Sequence, residues 1–130
     1  MKYPIKITLP WPPTVNTYWR HVVMNGSART MLSKKGRQYR EAAAHALMFE
    51  NRGVVLRGLT DRLAVHILAY PPDRRARDLD NLPKGILDAL THAEVWLDDS
   101  QIDDLRTTRC PVVKGGRIEL TITQHTEIER

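Results

Sequence analysis

Eight residues at the centre of the chain, Leu63–Tyr70 (LAVHILAY), are apolar almost without interruption. A run this short reads as a strand, and its continuity reads as a central strand covered on both faces. Such a strand needs neighbours on both edges and helices over its faces. The flanking sequence offers both. Ile5, Ile7 and Leu9 alternate with Lys6 and Thr8, the pattern of a half-buried strand. Pro10, Pro12 and Pro13 end it, because proline supplies no ladder donor. Ile118, Leu120 and Ile122 alternate in the same way with Glu119, Thr121 and Thr123. Another strand is expected near 105–112, joined to the last by Lys114-Gly115-Gly116 as a hairpin turn.

Helices fill the gaps. Ser33 can cap a helix running to about residue 52, with Gly53 as its stop. Its segment REAAAHALMFE is rich in helix formers, with Ala42, Ala46 and Phe49 on one face and Ala43, Leu47 and Glu50 on the next. A second helix is expected over 81–92, with Asp80 as its N-cap and Ile86, Leu90 and Ala93 as its apolar stripe, Ala89 close by. Pro83 is tolerated there because first-turn amides have no intrahelical partner. Residues 14–32 read as a long loop, and a loop of that length in a compact domain is either functional or disordered. The tail after Gln124 is polar and expected to fray. The expectation is therefore one α/β domain over 1–130, a small mixed sheet of about four strands with two main helices packed on it.

Charge points to the partner. The formal net charge is +5 and the pI near 9.7, which suits a polyanion such as nucleic acid. From Asn16 to Arg40 there are six basic residues (Arg20, Arg29, Lys34, Lys35, Arg37, Arg40) and no acidic one. From Glu94 to Asp104 there are five acidic residues (Glu94, Asp98, Asp99, Asp103, Asp104) and no basic one. A basic surface beside a concentrated acidic spot is what a metal-dependent nuclease requires. No run approaches the ~20 apolar residues of a membrane span, and the N-terminus lacks signal-peptide character. Cys110 stands alone, so an internal disulfide and a cysteine zinc site are both excluded, and a reducing, cytoplasmic setting is expected. His21, His45, His66, His92 and His125 show no metal-ligand spacing, and Gly115-Gly116 is too short for a phosphate cradle.

The acidic residues carry the chemistry. Asp78 and Asp80 flank one apolar residue, and in an extended segment such a pair faces one side. Both could then meet one hard cation such as Mg2+, which takes one or two carboxylates plus water and substrate phosphate. Asp80 equally suits a helix cap. Lys84, one helical turn on, could reach a phosphate, or pair only with Asp80 or Asp88. Asp98 and Asp99 could bring a third carboxylate from another segment, or merely solvate a loop. Asp103 and Asp104 read as surface or turn residues.

Four stretches together resemble the RusA family of Holliday-junction resolvases: LPWPPTVNTYWRH (9–21), DRRARDLDNLPKGILDAL (73–90), VWLDDSQI (95–102) and PVVKGGRIELTI (111–122). They occur in the family's order and extend over nearly the whole chain. The resemblance implies a compact α/β homodimer, often prophage-encoded, that makes paired nicks in four-way DNA junctions. It implies Mg2+ held by Asp78, Asp80 and Asp99, with Mn2+ able to substitute, Lys84 needed for cleavage, and Asp98 as a possible accessory. No membrane and no small-molecule cofactor are expected. Arg74, Arg75 and Arg77 are the first candidates for DNA phosphate contacts, Lys34, Lys35 and Arg37 the second. Asn16, Tyr18 and Arg20 are candidates near the branch point, and Tyr18 or Trp19 could stack on an unpaired base. Trp19 also suits core or dimer packing. Pro83 inside the motif and the loop 24–30 depart from the family pattern. Two rivals stand beside this reading: a general metal-dependent nuclease for flaps or plain duplex, and a non-catalytic DNA-binding accessory protein.

Overall fold

A computed structural model describes residues 3–49 and 58–126. The main sheet has four strands: β1 (Ile5–Leu9), β4 (Leu63–Tyr70), β5 (Ile102–Arg109) and β6 (Arg117–Gln124). Their order is β1-β6-β4-β5, with β4 and β5 parallel and the other pairs antiparallel. The remaining strands, β2 (Trp19–Met24) and β3 (Ser27–Leu32), form a separate two-stranded ribbon. A short helix α1 (Val15–Tyr18) precedes the ribbon, and the longer helices are α2 (Lys34–Phe49) and α3 (Pro83–His92).

Strand pleating sorts the main sheet into two faces. Ile7, Leu120 and Ile67 lie side by side across three strands, all within 1% of full burial. Leu63, Val65 and Ala69 extend that apolar face, and Ile86, Ala89 and Leu90 of α3 complete the core. β4 is central, as expected, but it is not covered on both faces. His66, Leu68 and Tyr70 on its other side are only half-buried. Alternation, not continuity, is its true pattern, and the apolar residues on the open side disguise it.

The segment 14–32 is not a loop. Its β2–β3 ribbon pairs from Trp19–Leu32 to Met24–Ser27, turning at Asn25 and Gly26, both with positive φ. The ribbon buries little, so its sequence shows no hydrophobic period, only the Asn-Gly turn signal. Tyr18 at its root is fully buried. Two glycines make room for it: a Cβ on Gly36 would lie 2.5 Å from the Tyr18 carbonyl oxygen, and one on Gly85 3.1 Å from the Tyr18 ring.

Ser33 caps α2 as expected, accepting from the Gly36 amide at 3.0 Å. The buried stripe of α2 is Gly36, Tyr39, Ala43 and Ala46, straddling the two faces expected, while Ala42 and Phe49 are exposed. Its expected end near residue 52 and Gly53 lies outside the described residues. β5 starts at Ile102, earlier than the 105 expected, because Gln101 anchors its entrance to the carbonyls of Leu59 and Asp61. Lys114-Gly115-Gly116 is a turn but not a hairpin: β4 lies between the strands it joins. Beyond Gln124, the His125 amide still bonds the Arg62 carbonyl, so the tail stays docked for one further residue. No helix among the described residues is long and apolar enough to cross a membrane.

Candidate active site

β4, α3 and β5 form a parallel crossover unit. Leaving β4, residues 71–78 run to a 3₁₀ turn, Leu79–Asn81, and then to α3. Asp73 organises this segment. It accepts from the Arg75 amide at 3.0 Å and pairs with Arg77 at 2.8 Å. These bonds, the Arg75 amide first, lower its pKa below the usual carboxylate range. Arg77 also donates to the Asp73 carbonyl and sits 5.6 Å from the Trp11 ring centroid. Arg77 is thus a loop clamp, while Arg74 and Arg75 project into solvent, the Arg75 side chain 83% exposed.

The expected extended geometry ends at Asp78 (φ −85°, ψ 131°), because Leu79–Asn81 turns. Leu79 packs towards the core, and Asp78 and Asp80 on either side of it are exposed. Asp80 is not the cap of α3. Leu82 occupies that position without a side-chain cap bond, and Pro83 takes the first helical position, where a missing N–H costs least. Asp78 stands at the N-cap of the 3₁₀ turn, where its carbonyl accepts from the Asn81 amide at 3.2 Å but its side chain makes no cap bond. Lys84, exposed on the first turn of α3, pairs with neither Asp80 nor Asp88 but lies 5.5 Å from the Trp19 ring centroid. Beside Asp78, a cleft of about 390 Å³ opens between Trp11-Pro12-Pro13 and Arg77-Asp78, a feature with no sequence-level signal.

Asp98 and Asp99 lie beyond the far end of α3. Asp98 is structural: it accepts from the Ser100 amide, while Gln101 Oε1 accepts from the amides of Leu97 and Asp98. The Ser100 side chain and amide lower the Asp98 pKa. Asp99 is exposed and makes no side-chain bond among the described residues. The gathering of Asp78, Asp80 and Asp99 around one ion does not occur within a single chain. Among the described residues, no three His, Cys, Asp or Glu side chains form a metal-holding group. The reason is topological: α3, ten residues or about 15 Å of helix, separates the two motifs. Asp78 and Asp80 remain an uncommitted pair, which by itself meets the one or two carboxylates Mg2+ ordinarily takes from protein.

The remaining candidates divide by exposure. Asn16, Arg20, Lys34, Lys35 and Arg37 are exposed. Arg37 spends one donor on the Leu32 carbonyl. Tyr18 is a correction: its ring is fully buried and its hydroxyl donates to Asp88, so it has no face to offer a base. Burial, then Asp88, pushes its pKa well above the usual phenol value. Trp19 is half-buried, 5.0 Å from Tyr18 centroid to centroid, with its indole nitrogen enclosed and unpartnered. The bidentate Arg40–Asp88 pair beneath them, at 2.9 and 3.0 Å, was not foreseen from the sequence, since its partners are 48 residues apart.

Residues 10–123 match the family model described as endodeoxyribonuclease RusA. The chain is 48% identical over 119 residues to the crossover junction endodeoxyribonuclease rusA of Enterobacteria phage 82, covering 91% of this chain and 92% of the relative. It is 47% identical over 118 residues to the RusA of Escherichia coli strain K12, and 46% to that of Shigella sonnei strain Ss046, with the same coverage. The matched residues 10–123 include the basic loop 74–77, both acidic segments and α3 between them, and the chain belongs to the RusA family of crossover junction endodeoxyribonucleases.

Proposed function

We propose that this protein is a crossover junction endodeoxyribonuclease acting as a homodimer in the bacterial cytoplasm, hydrolysing phosphodiesters by paired symmetric nicks in four-way DNA junctions. One observation carries the site assignment. The chain commits Asp61, Asp73, Asp88 and Asp103 to Tyr or Arg partners. The carboxylates of Asp78, Asp80 and Asp99, in the two acidic motifs, are exposed and bonded to nothing among the described residues. Carboxylates left free beside a basic loop repel phosphate unless a cation neutralises them. Asp78 and Asp80 would hold Mg2+, or Mn2+ in its place, which supplies charge neutralisation at the phosphate and a more acidic water. Lys84, one turn into α3, would neutralise charge developing on the same phosphate.

The reaction class is tested on a strand-labelled four-way junction with and without Mg2+, beside a three-way junction and linear duplex. Paired nicks in opposing strands of the four-way junction, dependent on the cation, are expected. Equal cutting of all three substrates would mean a general nuclease, and binding without cutting in either cation a DNA-binding accessory protein.

Arg74 and Arg75 act through phosphate. Replacing both with Ala should weaken junction binding at low salt and reduce the slope of log K against log salt by about 2, since each phosphate contact contributes ~0.9. Cutting at saturating enzyme should be little changed. A titration at several salt concentrations reads both.

A further inference from the structure

The β2–β3 ribbon stands off the body of the molecule. Residues 20–31 are exposed except Val22, which is half-buried. Met24 pairs with Ser27, so Asn25 and Gly26 alone make the turn, both at positive φ. A two-residue turn of this kind matches the twist of its strands and gives a stiff tip. Just before the turn, Val23 is 75% exposed and Met24 46%, and neither belongs to the core. Strand pleating puts them on opposite faces. Val23 shares its face with His21 and Thr30, whose side chains bond across the ribbon at 3.3 Å. Met24 shares the other with Arg20 and Arg29, set diagonally across the two strands. The tip is a blade with an apolar side chain on each side and two cations behind it.

Charge names the occupant. No acidic residue lies between Asn16 and Arg40, so the ribbon suits a polyanion. Apolar side chains on a cationic element are what part a DNA base step. The root of the ribbon fixes where the blade works. Trp19, the first residue of β2, has its ring centroid 5.5 Å from Lys84 Nζ. Five residues of strand carry Met24 about 17 Å beyond Trp19, the length of about five nucleotide steps. On the nuclease reading above, on which this inference rests, Lys84 faces the scissile phosphate. The blade then reaches bases within a few steps of the cut. Parting bases costs least where pairing is already interrupted, and in a four-way junction that place is the branch point. We propose that the Val23-Met24 tip is a wedge that enters between bases at the branch point, with Arg20 and Arg29 on the flanking phosphates, and that it favours a junction over plain duplex.

The test places aminopurine, whose fluorescence rises when it unstacks, at the branch of a four-way junction or in the middle of a linear duplex. Ca2+ replaces Mg2+, because its looser coordination holds charge without ordering an attack. Wild type should raise the signal at the branch and not in the duplex. Val23→Ser/Met24→Ser should abolish the rise and weaken junction binding by about tenfold, the net of two apolar side chains left in water and a base step left stacked, while duplex binding changes by less than about twofold. Val23→Leu/Met24→Leu keeps the apolar surface and should keep the rise. Arg20→Ala/Arg29→Ala should weaken binding to both DNAs and lower the salt slope by about 2, but retain the rise at saturation. An undiminished rise in the Ser variant overturns the wedge. So does a Ser variant that binds both DNAs as wild type does but sediments differently when free, which would make the tip a contact between protein chains. Cutting of the unlabelled junction in Mg2+ is read on the same preparations. Wild type that cuts without a rise overturns the wedge alone, and wild type that binds neither DNA overturns the nuclease reading with it.

Discussion

Asp78→Asn should lower four-way junction cutting by at least about 100-fold while leaving junction affinity unchanged or tighter. The magnitude follows from metal sites generally. Loss of an outer-shell partner alone costs ~10–100-fold, so loss of a direct ligand should cost at least the upper end of that range. The side chain keeps its shape and makes no cap bond, and the backbone bond from the Asn81 amide to the Asp78 carbonyl is untouched, so the fold should not respond. Removing a negative charge near phosphate favours binding. Asp80→Asn should behave in the same way, because the α3 start relies on Leu82 and Pro83, not on Asp80. Single-turnover cutting and a gel-shift titration on the same labelled junction separate the two effects. Wild-type cutting by Asp78→Asn would remove this residue from the site. Asp73→Asn is the informative contrast: it loosens the Arg75 and Arg77 clamp, so it should act through the shape of the loop and weaken DNA binding.

How much of this was legible in the sequence depends on which residues make their contacts locally. β1 and β6 were readable because each buries one face and alternates strictly. β4 was located correctly, but Ala64, Leu68 and Tyr70 on its open face concealed the alternation. The β2–β3 ribbon was missed because it buries too little to leave a period. The Asp80 cap was a reasonable expectation from residue type, yet the 3₁₀ turn moves the helix start two residues on. The position of β5 between β4 and an open edge is a matter of topology, and a Gly-Gly turn before β6 looks the same whether or not the strands it joins are neighbours. The acidic motifs were legible as motifs. Their separation along α3 was not, since spacing in sequence says nothing of which end of a crossover each occupies.

Asp88→Ala is expected to be the most destabilising change near the site, by about 2–3 kcal/mol, without touching the chemistry. Asp88 ties three elements together: the Tyr18 hydroxyl from the end of α1, the Arg40 guanidinium from α2 at 2.9 and 3.0 Å, and α3, on which it stands. The Arg40 and Asp88 side chains are 25% and 21% exposed, so water can replace only part of the lost pairing. Alanine leaves a buried hydroxyl without its acceptor and a half-buried cation without its counter-charge. Asp88→Asn retains an acceptor for Tyr18 and should cost about half as much. Tyr18→Phe should be milder still, because it removes donor and desolvation cost together. Urea denaturation measures all three. The activity of the folded fraction separates support from catalysis. If Asp88 belonged to the cutting machinery, Asp88→Asn would stop cleavage at temperatures where the protein is fully folded. As a support beneath α3, it should leave the rate per folded molecule nearly unchanged and lower only the temperature at which that rate is lost.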